Sequence, residues 1–222
     1  MLSTVIFDMD GVIIDSEPLW HESEIEVFHR YGVPLTKAQC IETQGIRIDE
    51  VVEYWHGRHP WQNPPKEKVA EFIVDGLIER IHERGELING VMFALNLSRS
   101  LPVRLALASS SSYRIIDAVI DKFSLRDRFE LIYSAQEEPY GKPHPGVYIS
   151  TAHKLCVTPE SCLAIEDSIN GVISAKAAKM KCIAVPEATA RSDRRYGIAD
   201  VLLDSLNDIE EPMKEMITKA PS

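Results

Sequence analysis

Short apolar stretches punctuate the chain at Thr4–Phe7, Val103–Ala108, Leu131–Tyr133, Cys162–Ile165, Cys182–Val185 and Val201–Leu203. They are apolar throughout rather than alternating, which predicts strands buried on both faces of a sheet. Helix-length segments lie between the later ones, Tyr113–Phe123 and Ile169–Ala178, with apolar residues at three- and four-residue spacing. Strand alternating with helix predicts an α/β protein with a parallel sheet covered on both sides. The first two strand candidates stand about a hundred residues apart, too far for a single crossover. The intervening chain carries amphipathic helical patterns, Leu19–Tyr31 and Lys66–Ile81, separated by a turn at Pro60–Pro65. This predicts an all-helical domain over residues 17–85, inserted into a core built from 1–16 and 86–222.

Candidate chemistry collects at the strand ends. Asp8 follows the first strand directly, in Phe7-Asp8-Met9-Asp10-Gly11, and ligands of open parallel sheets bind at the carboxyl ends of strands. Gly11 permits a tight turn that returns Asp10 over the same mouth. Taken alone, such a segment is as well read as an acidic turn. A calcium loop with Gly11 at its sixth position fails, because Ile6 would be its first ligand and a strand precedes it. The second strand runs into Ser109-Ser110-Ser111-Ser112, where hydroxyls and helix-terminal amides could cradle an anion. A helix cap is the commoner role of such a serine run. Lys142 is held between Gly141 and Pro143 after the third strand, and the fourth ends in Glu166-Asp167-Ser168. Adjacent carboxylates at an apolar strand end repel unless a cation relieves them. Together these strand mouths offer hard oxygen ligands for Mg²⁺, donors for phosphate oxygens and one carboxylate free to attack, the needs of phosphoryl transfer.

The formal charge of −10 over 222 residues disfavours nucleic acid and anionic lipid as partners. It makes a lysine beside an anion site more telling. The four cysteines (Cys40, Cys156, Cys162, Cys182) show no zinc spacing and read as reduced thiols of a cytoplasmic protein. The N-terminus lacks the basic region of a signal peptide, and no apolar run is long enough for a membrane span. A monomer is expected, since core and cap need no partner to bury their apolar faces.

The ordered set Asp8-Met9-Asp10-Gly11, Ser109, Lys142 in Lys-Pro-His-Pro, and Glu166-Asp167-Ser168 with Asn170-Gly171 resembles the haloacid dehalogenase superfamily. The resemblance covers the whole chain, helical insert included. It implies a Rossmann-like parallel-sheet core with an inserted helical cap, and is strongest toward sugar-phosphate phosphatases, among them those acting on hexitol 6-phosphates and 2-deoxyglucose 6-phosphate. It further implies that Asp8 attacks phosphorus to form an aspartyl-phosphate, while Asp10 acts as acid and then base. Mg²⁺ would be held by Asp8, the Asp10 carbonyl and Asp167. Ser109, Ser110 and Lys142 would bind the phosphoryl oxygens. Glu166 is expected behind the metal ligands, and Asp15 at a helix cap.

The cap is expected to choose a small phosphorylated metabolite, with Glu17, Trp20 and Arg47 as candidate substrate contacts. Packing or surface roles compete for each of them. In β-phosphoglucomutase the position matching Trp20 holds a histidine that handles protons. Trp20 cannot do so, which weighs against the rival reading of a sugar-phosphate isomerase. Dehalogenation is more remote, since it needs neither metal nor Asp10. A phospho-acceptor signalling module would use similar residues, but with the acidic pair on the first strand and the acceptor on the third. His56 and His59 are expected to be solvated rather than metal ligands.

Overall fold

The computed structural model describes residues 2–218; Met1 and the last four positions of the expected 86–222 segment lie outside the described residues. The strands are β1 (Thr4–Phe7), β2 (Arg104–Ser109), β3 (Leu131–Ser134), β4 (Cys162–Glu166), β5 (Lys181–Ala184) and β6 (Val201–Leu202). All pair in parallel, in the order β3-β2-β1-β4-β5-β6. Each coincides within a residue or two with an apolar run of the sequence. β1 therefore sits between β2 and β4, where chain order reverses, and its carboxyl end opens into the crevice such a reversal creates.

The two faces of the sheet differ in side-chain size. Val5, Phe7, Leu105, Leu107, Leu163, Ile165 and Ile183 point to one face, against α5 (Val91–Ser100), α6 (Tyr113–Lys122) and α9 (Glu210–Thr218). The opposite face is lined by Ala106, Ala108, Ala164, Ala184, Cys162 and Cys182 and packs against α7 (Gly146–Lys154) and α8 (Ile169–Ala177). Small residues on that face leave room beside the strands for the long side chains of Lys142 and Tyr148. Both are almost wholly buried.

Between β1 and β2 the chain forms α1 (Glu17–Arg30), α2 (Lys37–Cys40), α3 (Ile48–Arg58) and α4 (Lys66–Arg84), before α5 returns to the sheet. A separate apolar cluster holds these helices together around Phe28, Trp55, Val69 and Ile73. His56 and His59 are partly solvated, and each also packs on a ring: His56 meets the Trp61 ring edge-on and hydrogen-bonds the Trp61 carbonyl, and His59 stacks on Trp55. The way in and the way out of the insert are tied to each other. The Asp15 amide donates to the Glu86 carbonyl (3.0 Å) and the Ile88 amide to that of Ile13 (3.0 Å). Both α1 and α4 cross the divide: α1 gives Leu19 to the main core and Val27 and Phe28 to the insert's cluster, and α4 does the same over a longer stretch. The Val74, Leu77 and Ile81 side chains of α4 belong to the main core, whereas Val69 and Ile73, a turn earlier, belong to the insert's own cluster. Among the described residues no helix is long and apolar enough to cross a membrane.

Candidate active site

A tight turn follows β1: the amides of Val12, Ile13 and Ile14 all donate to the Met9 carbonyl. Gly11 makes it possible, with φ +74°, a conformation that L-residues avoid. A second reason for glycine is space, since a Cβ at position 11 would stand 1.9 Å from Oδ2 of Asp167. The first turn of α8 is arranged alike. A Cβ on Gly171 would lie 2.0 Å from the Glu166 carboxyl carbon, and the Ser168 hydroxyl caps the helix by accepting from the Gly171 amide (3.0 Å).

These turns bring distant carboxylates together. Ligand oxygens of Asp8, Glu166 and Asp167 all lie within 4.8 Å of one another, and all three residues are buried. Lys142 joins the group from beneath, its Nζ donating to Asp8 Oδ1 (2.7 Å) and Glu166 Oε1 (2.6 Å). Glu166 Oε1 also accepts from the Tyr148 hydroxyl (2.5 Å), and the lysine ammonium sits 5.1 Å above that ring. Tyr148 was not singled out by sequence reasoning; only its place in the helix after the Lys142 loop could have marked it.

The electrostatics of this cluster are unbalanced. Burial, and then the Glu166 charge, push the Asp8 carboxyl up to about 8 in spite of Lys142. Burial, followed by the Glu166 and Asp8 charges, raises Asp167 well above the carboxylate range. Burial works against the Lys142 charge, yet Asp8 and Glu166 more than offset it and hold the ammonium protonated above its ordinary range. Three carboxylates facing one ammonium leave a deficit of positive charge, and all the donors are hard oxygens, so the set fits a divalent cation. Asp8 and Asp167 line the open cavity; Glu166 does not, and its Oε1 is committed to Lys142 and Tyr148.

Asp10 is held by a different set of groups. Its Oδ1 accepts from Ser16 Oγ (2.6 Å) and Trp20 Nε1 (3.0 Å), and its Oδ2 from Ser111 Oγ (2.7 Å), with Ser109 Oγ at 3.5 Å. Ser16, rather than Asp15, occupies the N-cap of α1, and Asp15 is exposed. Trp20 therefore both lines the cavity and fixes a carboxylate, a role its position alone did not disclose. Ser111 was visible only as part of the serine run. Ser109 is fully buried, accepts from the Ser111 amide (3.0 Å) and lies beneath the cavity wall, while Ser110 and Ser111 line it. The Ser110 hydroxyl donates to the Gly45 carbonyl of the helical insert (3.1 Å).

The cavity is a narrow cleft of about 50 Å³ that opens to solvent, with Asp8, Asp10 and Asp167 on the sheet side. Glu17, Trp20, His21 and Glu24 of α1 line the opposite side. Burial raises Glu17, an effect that His21 counters, and lifts Glu24 to about 8. Arg47 departs from expectation: it faces the core but does not line the cavity. Its guanidinium grips Asp49 (2.8 and 2.7 Å) and donates to the carbonyls of Ala135 (3.1 Å) and Glu138 (2.7 Å). The neighbouring Glu50 accepts from the Gly141 amide (3.0 Å), next to Lys142. Arg47 thus ties the insert to the loop that carries the lysine, with four of its five N–H donors engaged.

A parallel sheet with an acidic cluster and a buried lysine at its switch point, roofed by helices inserted after the first strand, defines a class of hydrolase. The profile of the haloacid dehalogenase-like hydrolase family matches residues 5–185, and the chain belongs to that family. It is 42% identical over 205 residues to hexitol phosphatase B of Escherichia coli (strain K12), covering 92% of each chain. It is 32% identical to the phosphorylated carbohydrates phosphatase of Thermotoga maritima, covering 93% of this chain and 88% of that one. Among solved structures, CbbY from Rhodobacter sphaeroides in complex with phosphate superposes with a TM-score of 0.84 at 26% identity, over 94% of this chain and 96% of the other.

Proposed function

We propose that the protein is a Mg²⁺-dependent phosphatase that hydrolyses monophosphates of sugars and hexitols through an aspartyl-phosphate on Asp8. The observation that carries this reading is the meeting of Asp8 with Glu166 and Asp167 within 4.8 Å, with Lys142 in contact with Asp8. The hexitol and carbohydrate phosphatases among the relatives support the substrate class. Residues 17–85 serve in this reading as the cap over a core of 1–16 and 86–222.

Asp8 and Asp167, with the Asp10 carbonyl, would hold the metal, which when bound supplies charge to offset repulsion between carboxylate and phosphate. Asp8 then attacks phosphorus as an ionised carboxylate, and Lys142 keeps the attacking group oriented from beneath. The leaving alcohol oxygen takes its proton from Asp10, whose carboxyl is positioned by Ser16, Trp20 and Ser111. In the second half Asp10 accepts a proton from water as the water attacks the aspartyl-phosphate, releasing inorganic phosphate and restoring Asp8. Ser110, at the cavity wall, binds a phosphoryl oxygen.

A panel of sugar and polyol phosphates assayed for phosphate release with Mg²⁺ tests the proposal. Activity is expected to vanish with EDTA and to fall by about three orders of magnitude or more in Asp8→Asn. Turnover that survives in Asp8→Asn would remove the assigned nucleophile. Release of an isomeric sugar phosphate without inorganic phosphate would favour the isomerase instead.

A further inference from the structure

α1 turns Glu17, His21 and Glu24 toward the cavity at positions i, i+4 and i+7, one face of the helix. Each is more than nine-tenths buried, and Glu24 shares one side-chain hydrogen bond with Cys40. Neither ring nitrogen of His21 makes a hydrogen bond, and Glu24 Oε2 makes none. His21 Nε2 stands 3.3 Å from Glu17 Oε2, near enough for charge attraction but off the line of a hydrogen bond. Buried polar atoms without partners are costly, and native proteins keep few of them. Here they line the cavity that holds Asp8, so their partner can arrive with the substrate.

The chemistry of these side chains restricts that partner. A carboxyl group accepts hydrogen bonds, and donates one when protonated, and a neutral imidazole both donates and accepts, so hydroxyl groups can satisfy all three residues. A second phosphate or a carboxylate would instead have to give up its water at a buried wall that offers no ammonium or guanidinium in return. No lysine or arginine among the described residues lines the cavity, because Lys142 lies beneath Asp8 and Arg47 is spent on the core. Resting on the phosphatase reading above, we infer that Glu17, His21 and Glu24 form a hydroxyl-binding subsite, which admits the uncharged polyol tail of a monophosphate and rejects a second anionic group.

Three substrates separate this inference from the reading beneath it: sorbitol 6-phosphate, a sugar bisphosphate such as glucose 1,6-bisphosphate, and acetyl phosphate, which is too short to reach α1. In the wild-type protein with Mg²⁺, kcat/KM for the bisphosphate is expected to fall about a hundredfold or more below that for sorbitol 6-phosphate. Glu24→Met and His21→Leu should each lose about tenfold or more on sorbitol 6-phosphate, with acetyl phosphate changed by about twofold at most. Glu24→Gln, which keeps shape and some hydrogen bonding, should fall between. Equal losses on the long and short substrates would assign these residues to folding alone and overturn the subsite. Bisphosphate cleaved as well as monophosphate would overturn it without any variant. Asp8-dependent hydrolysis of acetyl phosphate with none of sorbitol 6-phosphate would also sink the subsite, leaving the phosphatase intact. Failure on all three substrates would remove the phosphatase reading itself.

Discussion

Replacing Lys142 by Met keeps most of the side-chain volume and removes one charge from the interior. The ammonium is 2% exposed and stands 2.7 Å from Asp8 and 2.6 Å from Glu166. Deleting one partner of such a buried arrangement costs about 3–5 kcal/mol, because the remaining charges stay behind without compensation. For a domain of this size each kcal/mol moves Tm by about 2–4 °C, so a fall of about 6–20 °C is expected. The loss has a pH signature. Asp8, ordinarily near 3.8, is held up to about 8 in the folded protein by burial and then by Glu166. Between those values the native state keeps a proton that the unfolded chain has released, so metal-free stability falls as pH rises from about 4 to 8. Lys142 lowers Asp8, and without it the carboxyl moves higher still, steepening that fall. Its own stabilisation is fully present below its ordinary value of 10.5 and is lost only above that, outside the window. The deficit of Lys142→Met should therefore be present at pH 5, grow toward pH 8, and shrink with excess Mg²⁺. Thermal denaturation of both proteins at pH 5, 6.5 and 8, with EDTA or with Mg²⁺, measures it. A deficit that is flat with pH, or below about 1 kcal/mol at pH 8, would refute the electrostatic account.

Other substitutions probe single contacts. Gly11→Ala places a methyl group 1.9 Å from Asp167 Oδ2 at a backbone φ of +74°, so the carboxylate must move. Calorimetry should show Mg²⁺ affinity reduced by about tenfold or more, and unchanged affinity would separate Asp167 from the metal. Trp20→Phe keeps the ring but removes the N–H bonded to Asp10; kcat should drop by about tenfold with KM little altered, and a pure KM effect would make Trp20 a substrate contact. Arg47→Ala cuts the tie to the Ala135 and Glu138 carbonyls, and is expected to cost about 1–3 kcal/mol in denaturant unfolding. Loss of phosphate binding with unchanged stability would return Arg47 to the substrate.

The sheet could be read from the chain because its strands are buried on both faces, so Thr4–Phe7 or Cys162–Ile165 stand out as unbroken apolar runs. The chemistry was legible for a related reason: in a parallel sheet, residues that follow strands share one edge, whatever their separation in sequence. Asp8, Lys142 and Asp167 needed only that rule to be placed together. Residues of α1 and the 44–50 loop obey no such rule. Whether Arg47 meets a substrate or the Ala135 carbonyl depends on how the insert sits on the core, and spacing does not encode that. The same holds for Trp20, whose indole N–H finds Asp10 only once α1 is in place. For the His56–His59 pair the spacing showed partial exposure but not the Trp55 and Trp61 rings that pack on it.

The helix α4 serves both apolar clusters, Val69 and Ile73 in one and Val74, Leu77 and Ile81 in the other. Lys122 of α6 fastens its far end by donating to the carbonyls of Ile81 (2.5 Å) and His82 (3.1 Å). A beam shared in this way couples the melting of the two parts, because neither can lose its packing without baring one side of the same helix. Heating should therefore produce one calorimetric peak, with truncations at Leu77 and Ile73 lowering the same transition.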